Sequence, residues 1–315
     1  MNEHKKLFSK IGLNYLLLAL IPILFQIIIV NIIALGNVNL LNINTKIVIS
    51  SITNYILILP IFIYLMKKIE SVEISKEKIG IKKFITYICI AITLMWVGNI
   101  TGLIITTLIG HTIANEVVNP IEQLIQNSSI FVNLLVISIL APIFEEIFFR
   151  KLLIDRTVKY GAKLSILLSA FLFGLFHGNL SQFFYAFLLG GFFAYIYIKT
   201  GKIIYSIICH AAVNLYGSVI STFFNSAMHN ISNGISMVNI GDITIIAAYM
   251  ISLIIIWSIG LYSIFSKYKN IEFDDRDREI YLEKPFRTVL INPGMILFIL
   301  YHIFVILTSL NIITI

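Results

Sequence analysis

The sequence predicts an all-α integral membrane protein, a polytopic bundle of about nine transmembrane helices with a cytoplasmic N-terminus and an external C-terminus. Composition is the first observation behind this prediction: 58% of the 315 residues are hydrophobic and only 12% are charged. A water-soluble domain carries about 25% charged residues, because its surface must face water. The solvent that suits this composition is the lipid bilayer.

The second observation is that the apolar residues form long tracts, because a helix of about 20 apolar residues crosses a hydrocarbon core of about 30 Å. The tracts cover approximately residues 12–35, 46–66, 84–109, 129–157, 162–179, 182–198, 203–223, 243–265 and 293–314. The first tract is expected to stay as an anchor. Polar Asn37 and Asn39 follow it, whereas a cleaved signal peptide would end in a small-residue cleavage site.

The third observation is the distribution of Lys and Arg, which are retained on the cytoplasmic side when helices insert. With the N-terminus inside, 22 of the 23 basic residues fall in cytoplasmic loops, and only Lys46 falls outside. This sorting predicts the stated orientation and accounts for most of the net charge of +7. The expected partner of these charges is the lipid bilayer, through anionic headgroups, and no nucleic acid.

Few ionisable residues lie within the predicted spans, where each costs about 2.5–3.5 kcal/mol to insert and is therefore a functional candidate. The candidates are Glu145, Glu146 and Arg150 in the fourth span, His177 at the end of the fifth, and His210 with Asn214 in the seventh. His302 has no acidic companion nearby, and His111 and His229 fall at external loops. We interpret these three as satisfied or solvated histidines.

The fourth and fifth spans are predicted to form an antiparallel hairpin around a tight turn at Gly161. Glu145 and His177 are each 16 residues from Gly161, which is about 24 Å along the helices. We expect them to face each other inside the bilayer. His210 and Asn214 lie on one face of the seventh span, with Asn214 nearer to the depth of that pair.

The two adjacent glutamates are predicted to have different roles. Glu146 and Arg150 have the i, i+4 spacing of a helical ion pair, which would neutralise two costly charges and is interpreted as structural. Glu145 points about 100° away and has no basic residue one helical turn before or after it. A carboxylate opposite an imidazole in a low-dielectric cavity can hold and deprotonate a water molecule, which indicates hydrolysis.

The candidates form three motifs in order along the chain. The motifs are EExxxR with Glu145, Glu146 and Arg150, FxxxH with Phe173 and His177, and HxxxN with His210 and Asn214. Together they resemble the CAAX protease and bacteriocin-processing family of intramembrane endopeptidases, also called the CPBP or Abi family. The resemblance covers approximately residues 129–222. Each motif alone is weak, whereas the three in order are specific.

The resemblance implies a membrane protease in which Glu145 and His177 activate the attacking water while His210 and Asn214 stabilise the oxyanion. The family has also been described as metal-dependent, and Glu145, His177 and His210 would then be zinc ligands. We predict an enzyme without a metal or other cofactor. Glu145 would otherwise be the single available carboxylate and could not easily be both a ligand and the general base.

The resemblance also suggests three units along the chain. These are 1–128 with about three transmembrane helices and a basic cytoplasmic loop, 129–222 as the catalytic core, and 223–315 with the C-terminal transmembrane helices. The implied substrate is a membrane-associated protein or peptide, of CAAX, bacteriocin or peptide-signal type. The abundance of Ile, Asn and Lys is typical of an AT-rich genome and favours a bacterial plasma membrane.

The alternative is a non-enzymatic multi-pass membrane protein, either a transporter or an immunity or scaffold protein with a structural polar cluster. Buried polar contacts do hold membrane helices together, and glycines such as Gly190 and Gly191 can mark the broken helices of transporters. A structural cluster would pair its charges, and a transporter usually shows repeated halves. The unpaired Glu145 and the lack of an internal repeat favour an enzyme.

Overall fold

The protein is an all-α, multi-pass membrane helix bundle. A computed structural model describes residues 2–37, 41–113, 120–232, 239–267, 273, 275 and 277–313. Helices make up 85% of the structure, and no strand occurs in the ranges just given. The helices are α1 (Glu3–Asn37), α2 (Ile43–Lys67), α3 (Ile81–Ile113), α4 (Pro120–Asn127), α5 (Ile130–Tyr160), α6 (Ala162–Phe176), α7 (Leu180–Thr200), α8 (Ile203–Ser232), α9 (Ile240–Lys267), α10 (Pro285–Val289) and α11 (Pro293–Ser309). The predicted fold class is confirmed.

Within the described residues, seven helices are long and apolar enough to cross a membrane, namely α1, α2, α3, α5, α7, α8 and α9. The two remaining apolar tracts coincide with α6 and α11, which have 15 and 17 residues. Helices of that length measure about 22 and 26 Å, less than a full hydrocarbon core. The count of nine spans and the orientation of the termini stay predictions.

The turn between α5 and α6 lies where the sequence predicts it. A short 3₁₀ turn, Val158–Tyr160, leads into Gly161, whose φ of 112° favours glycine. The segment after α9 contacts this turn, because the Asp275 carboxylate accepts a hydrogen bond from the Ala162 backbone N–H at 2.8 Å. Lys159 also binds Glu70 at 2.8 Å, and this ammonium holds the pKa of the Glu70 carboxyl below its usual value.

The α6–α7 hairpin carries His177 in its turn. α6 ends at Phe176, and Gly178 follows with a φ of 65°, a left-handed conformation that glycine adopts at low cost. The Asn179 side chain then caps α7 by accepting a hydrogen bond from the Gln182 backbone N–H at 2.9 Å. The fifth tract therefore ends as a helix at Phe176, although hydropathy alone extends it to residue 179.

Small residues bring α7 close to its neighbours. A Cβ at Gly190 would lie 3.1 Å from the Cα of Ala170 on α6, so the two backbones touch there. α7 is one continuous helix through Gly190 and Gly191. The interpretation of these glycines as a mark of a broken transporter helix is therefore wrong, because they serve helix packing.

Contacts between α7 and α3 set the depth of the His177 turn. Gly98 and Gly102 of α3 lie directly against the backbone of Tyr185 and Ser181, leaving no room for a Cβ. Gly102 is 11 residues before the end of α3 at Ile113, or about 16 Å along the helix. The His177 turn therefore lies beside the middle of α3, inside the bundle, and not level with the end of α3.

The terminal helices pack against each other and against α5. α1 and α11 meet at Gly12 and Gly294, where neither position has space for a side chain. The Tyr15 hydroxyl of α1 donates a hydrogen bond to the Phe148 carbonyl of α5 at 2.6 Å. The proposed division into 1–128, 129–222 and 223–315 stays a prediction.

Candidate active site

A cavity of about 530 Å³ is lined by residues of α2 to α9. Four of the predicted site residues line it: Glu145, His177, His210 and Asn214. They come from α5, from the turn after α6, and from α8, so three separate segments supply them. Glu146 and Arg150 are fully buried beside the cavity.

Glu145 is the acidic residue that faces the cavity. Its side chain is 18% exposed, whereas that of the adjacent Glu146 is 0% exposed. The Tyr55 hydroxyl donates a hydrogen bond to Oε1 of Glu145 at 3.1 Å, and Nε2 of His210 lies 3.7 Å from Oε2. The rotation of about 100° between consecutive helical residues gives the two glutamates these different surroundings.

His177 is oriented by Phe173, which lies one helical turn earlier in α6. Nδ1 of His177 lies 2.8 Å from the Phe173 carbonyl oxygen, and the two rings meet edge to face at 4.7 Å. Because a carbonyl oxygen only accepts hydrogen bonds, Nδ1 carries the proton. Nε2 of a neutral His177 is then left as an acceptor, which is the form that a general base needs.

Glu146 and Arg150 form a buried ion pair. Nε of Arg150 lies 3.1 Å from Oε2 of Glu146, and both side chains are 0% exposed. The guanidinium also lies over the rings of Phe173 and Phe193, at 4.5 and 5.6 Å from their centroids. Its Nη1 and Nη2 atoms have no hydrogen-bond partner among the described residues, so the ring faces and Glu146 are what stabilise this charge.

His210 connects this ion pair to the cavity. Its Nδ1 lies 3.0 Å from Oε1 of Glu146, and its ring stacks on Phe193 with centroids 5.0 Å apart. Oε2 of Glu146 therefore lies in the ion pair with Arg150, while Oε1 contacts His210. Helical spacing predicted the contact with Arg150 but not this second contact.

Asn214 lies further along α8. Its Nδ2 donates a hydrogen bond to the Ile137 carbonyl oxygen at 2.9 Å, which leaves one of its two N–H groups for another acceptor. Of the two α8 residues, His210 is the one with a contact to Glu145, at 3.7 Å. The prediction that Asn214 lies nearer than His210 to the depth of Glu145 and His177 stays a prediction.

Four π-helical stretches adjoin the candidate residues. One contains Tyr55, two flank the turn of α5 that carries Glu145, and one directly follows Asn214. Their bounds are Ile52–Leu57, Asn133–Leu140, Ile147–Leu152 and Leu215–Ile220. A π-helical turn re-aims the side chains that follow it and is frequent at functional sites.

Sequence reasoning did not select the tyrosines of the cavity. Tyr55 lines it from α2, and Tyr185 lines it from α7, where its hydroxyl accepts a short hydrogen bond from Gln182. A signal for Tyr55 was present in the sequence, because the polar run SSITNY at 50–55 interrupts an apolar tract. Polar residues inside a span are costly unless they serve contacts or function.

Of the histidines interpreted as satisfied or solvated, His302 and His229 do not line this cavity. Nδ1 of the buried His302 lies 2.9 Å from the Phe298 carbonyl, which agrees with its interpretation as a satisfied histidine. His229 is exposed at the end of α8. The side chain of His111 lies outside the described residues.

Comparison with known families gives an independent result for the same segment. Residues 127–216 match the family described as type II CAAX prenyl endopeptidase Rce1-like. This confirms the family that the three motifs predicted, and the matched range contains every residue of those motifs. Comparisons with curated proteins and with solved structures returned no match.

The Rce1-like family implies CAAX-type intramembrane protease activity. A membrane protease is consistent with a cavity that lies among helices long enough to cross a bilayer. The family therefore supports assignment of the chain to the hydrolases, as a multi-pass membrane enzyme.

Glu145, His177 and His210 carry the donor atoms that a zinc site would use. In the described part of the chain, no group of three or more His, Cys, Asp or Glu residues is placed to hold a metal ion. Nδ1 of His210 contacts Glu146, and Nδ1 of His177 contacts the Phe173 carbonyl, so Nε2 is the nitrogen of each ring that is left for a ligand. That the enzyme needs no cofactor stays a prediction.

Proposed function

We propose that this chain is a glutamate-type intramembrane endopeptidase that hydrolyses a peptide bond of a membrane-associated protein or peptide. One observation carries the proposal. Glu145, His177, His210 and Asn214 line a single cavity, and they do so within the segment that matches the Rce1-like family. The first step is activation of a water molecule between the Glu145 carboxylate and Nε2 of His177.

In that step Glu145 takes a proton from the water, and the water oxygen forms a bond to the scissile carbonyl carbon. The carbonyl π electrons move to its oxygen and give a tetrahedral oxyanion. Exposure to the cavity makes Glu145 available for this role, and the Phe173 carbonyl directs the acceptor nitrogen of His177 away from its own helix. General-base assistance of this kind contributes roughly 10²- to 10⁴-fold to a rate.

The oxyanion needs hydrogen-bond donors in a site that excludes bulk water. We assign this role to Asn214 and His210. Asn214 has one N–H left after its bond to Ile137, and His210 lines the cavity while Glu146 contacts its Nδ1. Collapse of the intermediate breaks the C–N bond, and the leaving amine takes the proton held by Glu145.

The lining of the cavity supports a peptide substrate. Polar uncharged side chains line one end, including those of Ser50, Asn54, Gln126 and Asn225, and no Lys or Arg lines the cavity among the described residues. An extended peptide needs partners for its backbone N–H and C=O groups, which amide and hydroxyl side chains provide.

This polar end lies toward the start of α2 and toward the ends of α4 and α8. The predicted orientation places these helix ends outside, so we propose that the peptide enters from the external side of a bacterial plasma membrane. We propose a bacterial membrane peptide or protein as the natural substrate, with CAAX-type, bacteriocin and peptide-signal substrates as the classes to compare.

The proposal is tested by comparing the peptides in membranes of cells that make the wild type or Glu145→Ala. Cleavage products present with the wild type should vanish with Glu145→Ala. Glu73→Gln is a matched control, because Glu73 is 78% exposed in a cytoplasmic loop and pairs only with Lys76 among the ion pairs of the described residues. Identical peptides in the wild-type and Glu145→Ala membranes would contradict the assignment of Glu145 as the base.

A further inference from the structure

We propose that Tyr55 is a positioning residue that holds Glu145 in the orientation required for water activation. The inference rests on the proposed function. Its basis is the hydrogen bond from the Tyr55 hydroxyl to Oε1 of Glu145 at 3.1 Å. Tyr55 lies on α2, outside the matched residues 127–216. The site is therefore completed by a helix that precedes the Rce1-like domain.

The Tyr55 ring is fixed against the same helix that carries the glutamate. It stacks on Phe144 with ring centroids 5.1 Å apart and only 8° between the planes. Phe144 directly precedes Glu145, so the stacking and the hydrogen bond act on consecutive residues of α5. Two such contacts leave the hydroxyl little freedom to leave the carboxylate, since a tyrosine side chain has only two main torsions.

A polar network between α1 and α2 fixes the backbone near Tyr55. Nε2 of Gln26 lies 2.9 Å from Oγ1 of Thr53 and 3.2 Å from Oδ1 of Asn54. Nδ2 of Asn54 in turn donates to the Ser50 hydroxyl at 3.0 Å. Polar residues of this kind are costly inside a bilayer unless they pair. Here they join α1 to the part of α2 that directly precedes the tyrosine. α1 and α2 thus hold Tyr55 in place.

The hydrogen bond from Tyr55 makes the two carboxylate oxygens of Glu145 different. Oε1 accepts from Tyr55, and Oε2 lies 3.7 Å from Nε2 of His210. A carboxylate held through one oxygen presents its remaining lone pairs in a fixed direction, toward the water that it must deprotonate. Without the hydroxyl the carboxylate can rotate, and the fraction of productive arrangements falls.

Several other groups surround this carboxylate, and a test must separate their effects from that of Tyr55. The titratable and charged groups are His177 after α6, Tyr185 on α7, His210 on α8, and Arg150 with Glu146 on α5 itself. The substitution Tyr55→Phe changes none of these and keeps the ring that stacks on Phe144.

The experiment uses the purified full chain and an internally quenched, S-farnesylated peptide that ends in a CAAX sequence. Tyr55→Phe should lower kcat about tenfold to a hundredfold with little change in KM, because positioning acts on the chemical step. A change confined to kcat separates positioning from a structural defect, which would also alter KM and the melting temperature. Tyr64→Phe is the control, since Tyr64 lies on the same helix and is 62% exposed.

Two results would overturn the inference. One is a Tyr55→Phe enzyme with the kcat of the wild type. The other is a loss of activity in which kcat and KM both change and the melting temperature falls, because that combination indicates a structural role only. Glu145→Gln is measured beside it. If Glu145→Gln cleaves the peptide at the wild-type rate, the proposed function fails, whereas an inactive Glu145→Gln beside a fully active Tyr55→Phe rejects the role of Tyr55 alone.

Discussion

Nδ1 of His210 lies 3.0 Å from Oε1 of Glu146, and this contact joins a buried ion pair on α5 to a cavity residue on α8. The same carboxylate binds Arg150 through its other oxygen at 3.1 Å. A continuous series of contacts therefore runs from Arg150 through Glu146 and His210 to Glu145. A residue interpreted from sequence as structural also orients a residue assigned to the chemistry.

Loss of Arg150 should destabilise the protein. Arg150→Ala leaves the carboxylate of Glu146 buried without its cation, and breaking one side of a buried pair typically costs about 3–5 kcal/mol. We expect lower abundance in the membrane and a lower melting temperature, measured on the purified full chain. Arg278→Ala is the control, because Arg278 pairs with Asp275 at 3.3 Å while 33% exposed. Normal accumulation and full activity of Arg150→Ala would contradict the role assigned to the pair.

Loss of Asn214 should affect catalysis more than folding. Removing one oxyanion donor typically lowers kcat about 10²- to 10³-fold, and we expect Asn214→Ala to show a loss in this range. Asn31→Ala is a matched control, since Asn31 also donates from Nδ2 to a carbonyl, that of Ile27 at 2.7 Å, on an exposed part of α1. A kcat for Asn214→Ala equal to that of the control would remove Asn214 from the oxyanion site.

The orientation of the chain is open to a direct test. Reporter fusions after Lys83 or Phe273 should behave as cytoplasmic, and a fusion near Asn230 should behave as external. The expectation follows from the basic residues, of which 22 of 23 fall on one side. External activity of the fusion at Phe273 would overturn the nine-span arrangement and the proposed external entry of the peptide.

The predicted independence from metal can be checked with chelators. The purified enzyme should keep its cleavage rate after exhaustive treatment with phenanthroline and EDTA, and elemental analysis should find less than one zinc per chain. The reason is that Glu145 is assigned as the base, and that no group of three His, Cys, Asp or Glu side chains among the described residues is placed to hold a metal ion. Activity that disappears on chelation and returns with added zinc would make Glu145, His177 and His210 ligands.

Composition and the long apolar tracts were sufficient to predict the fold class, because a chain with so few charged residues cannot cover its surface in water and is stable in lipid. They did not predict where α6 ends, since the stretch FGLFHGNL is apolar enough to continue the helix. The end of α6 is determined by the left-handed conformation of Gly178 and by the Asn179 cap of α7. The candidate residues were found because ionisable side chains are rare inside spans.

The contacts between helices could not be predicted in the same way. Helical spacing shows that Glu146 can reach Arg150, but the rotation of α8 toward α5 determines that His210 reaches Glu146 as well. Tyr55 belongs to no motif, and its role depends on how α2 packs beside α5. Such contacts arise from tertiary packing, for which one sequence contains no periodic signal.

The most direct test of the account is the rate at which purified Glu145→Gln hydrolyses the quenched S-farnesylated CAAX peptide. The substitution keeps the shape of the side chain and its contact distance to Tyr55 but removes the base, so we expect a rate about 10²- to 10⁴-fold below the wild type with an unchanged melting temperature. Glu73→Gln should retain the wild-type rate. A Glu145→Gln enzyme that cleaves the peptide as fast as the wild type would contradict the claim that Glu145 activates the water.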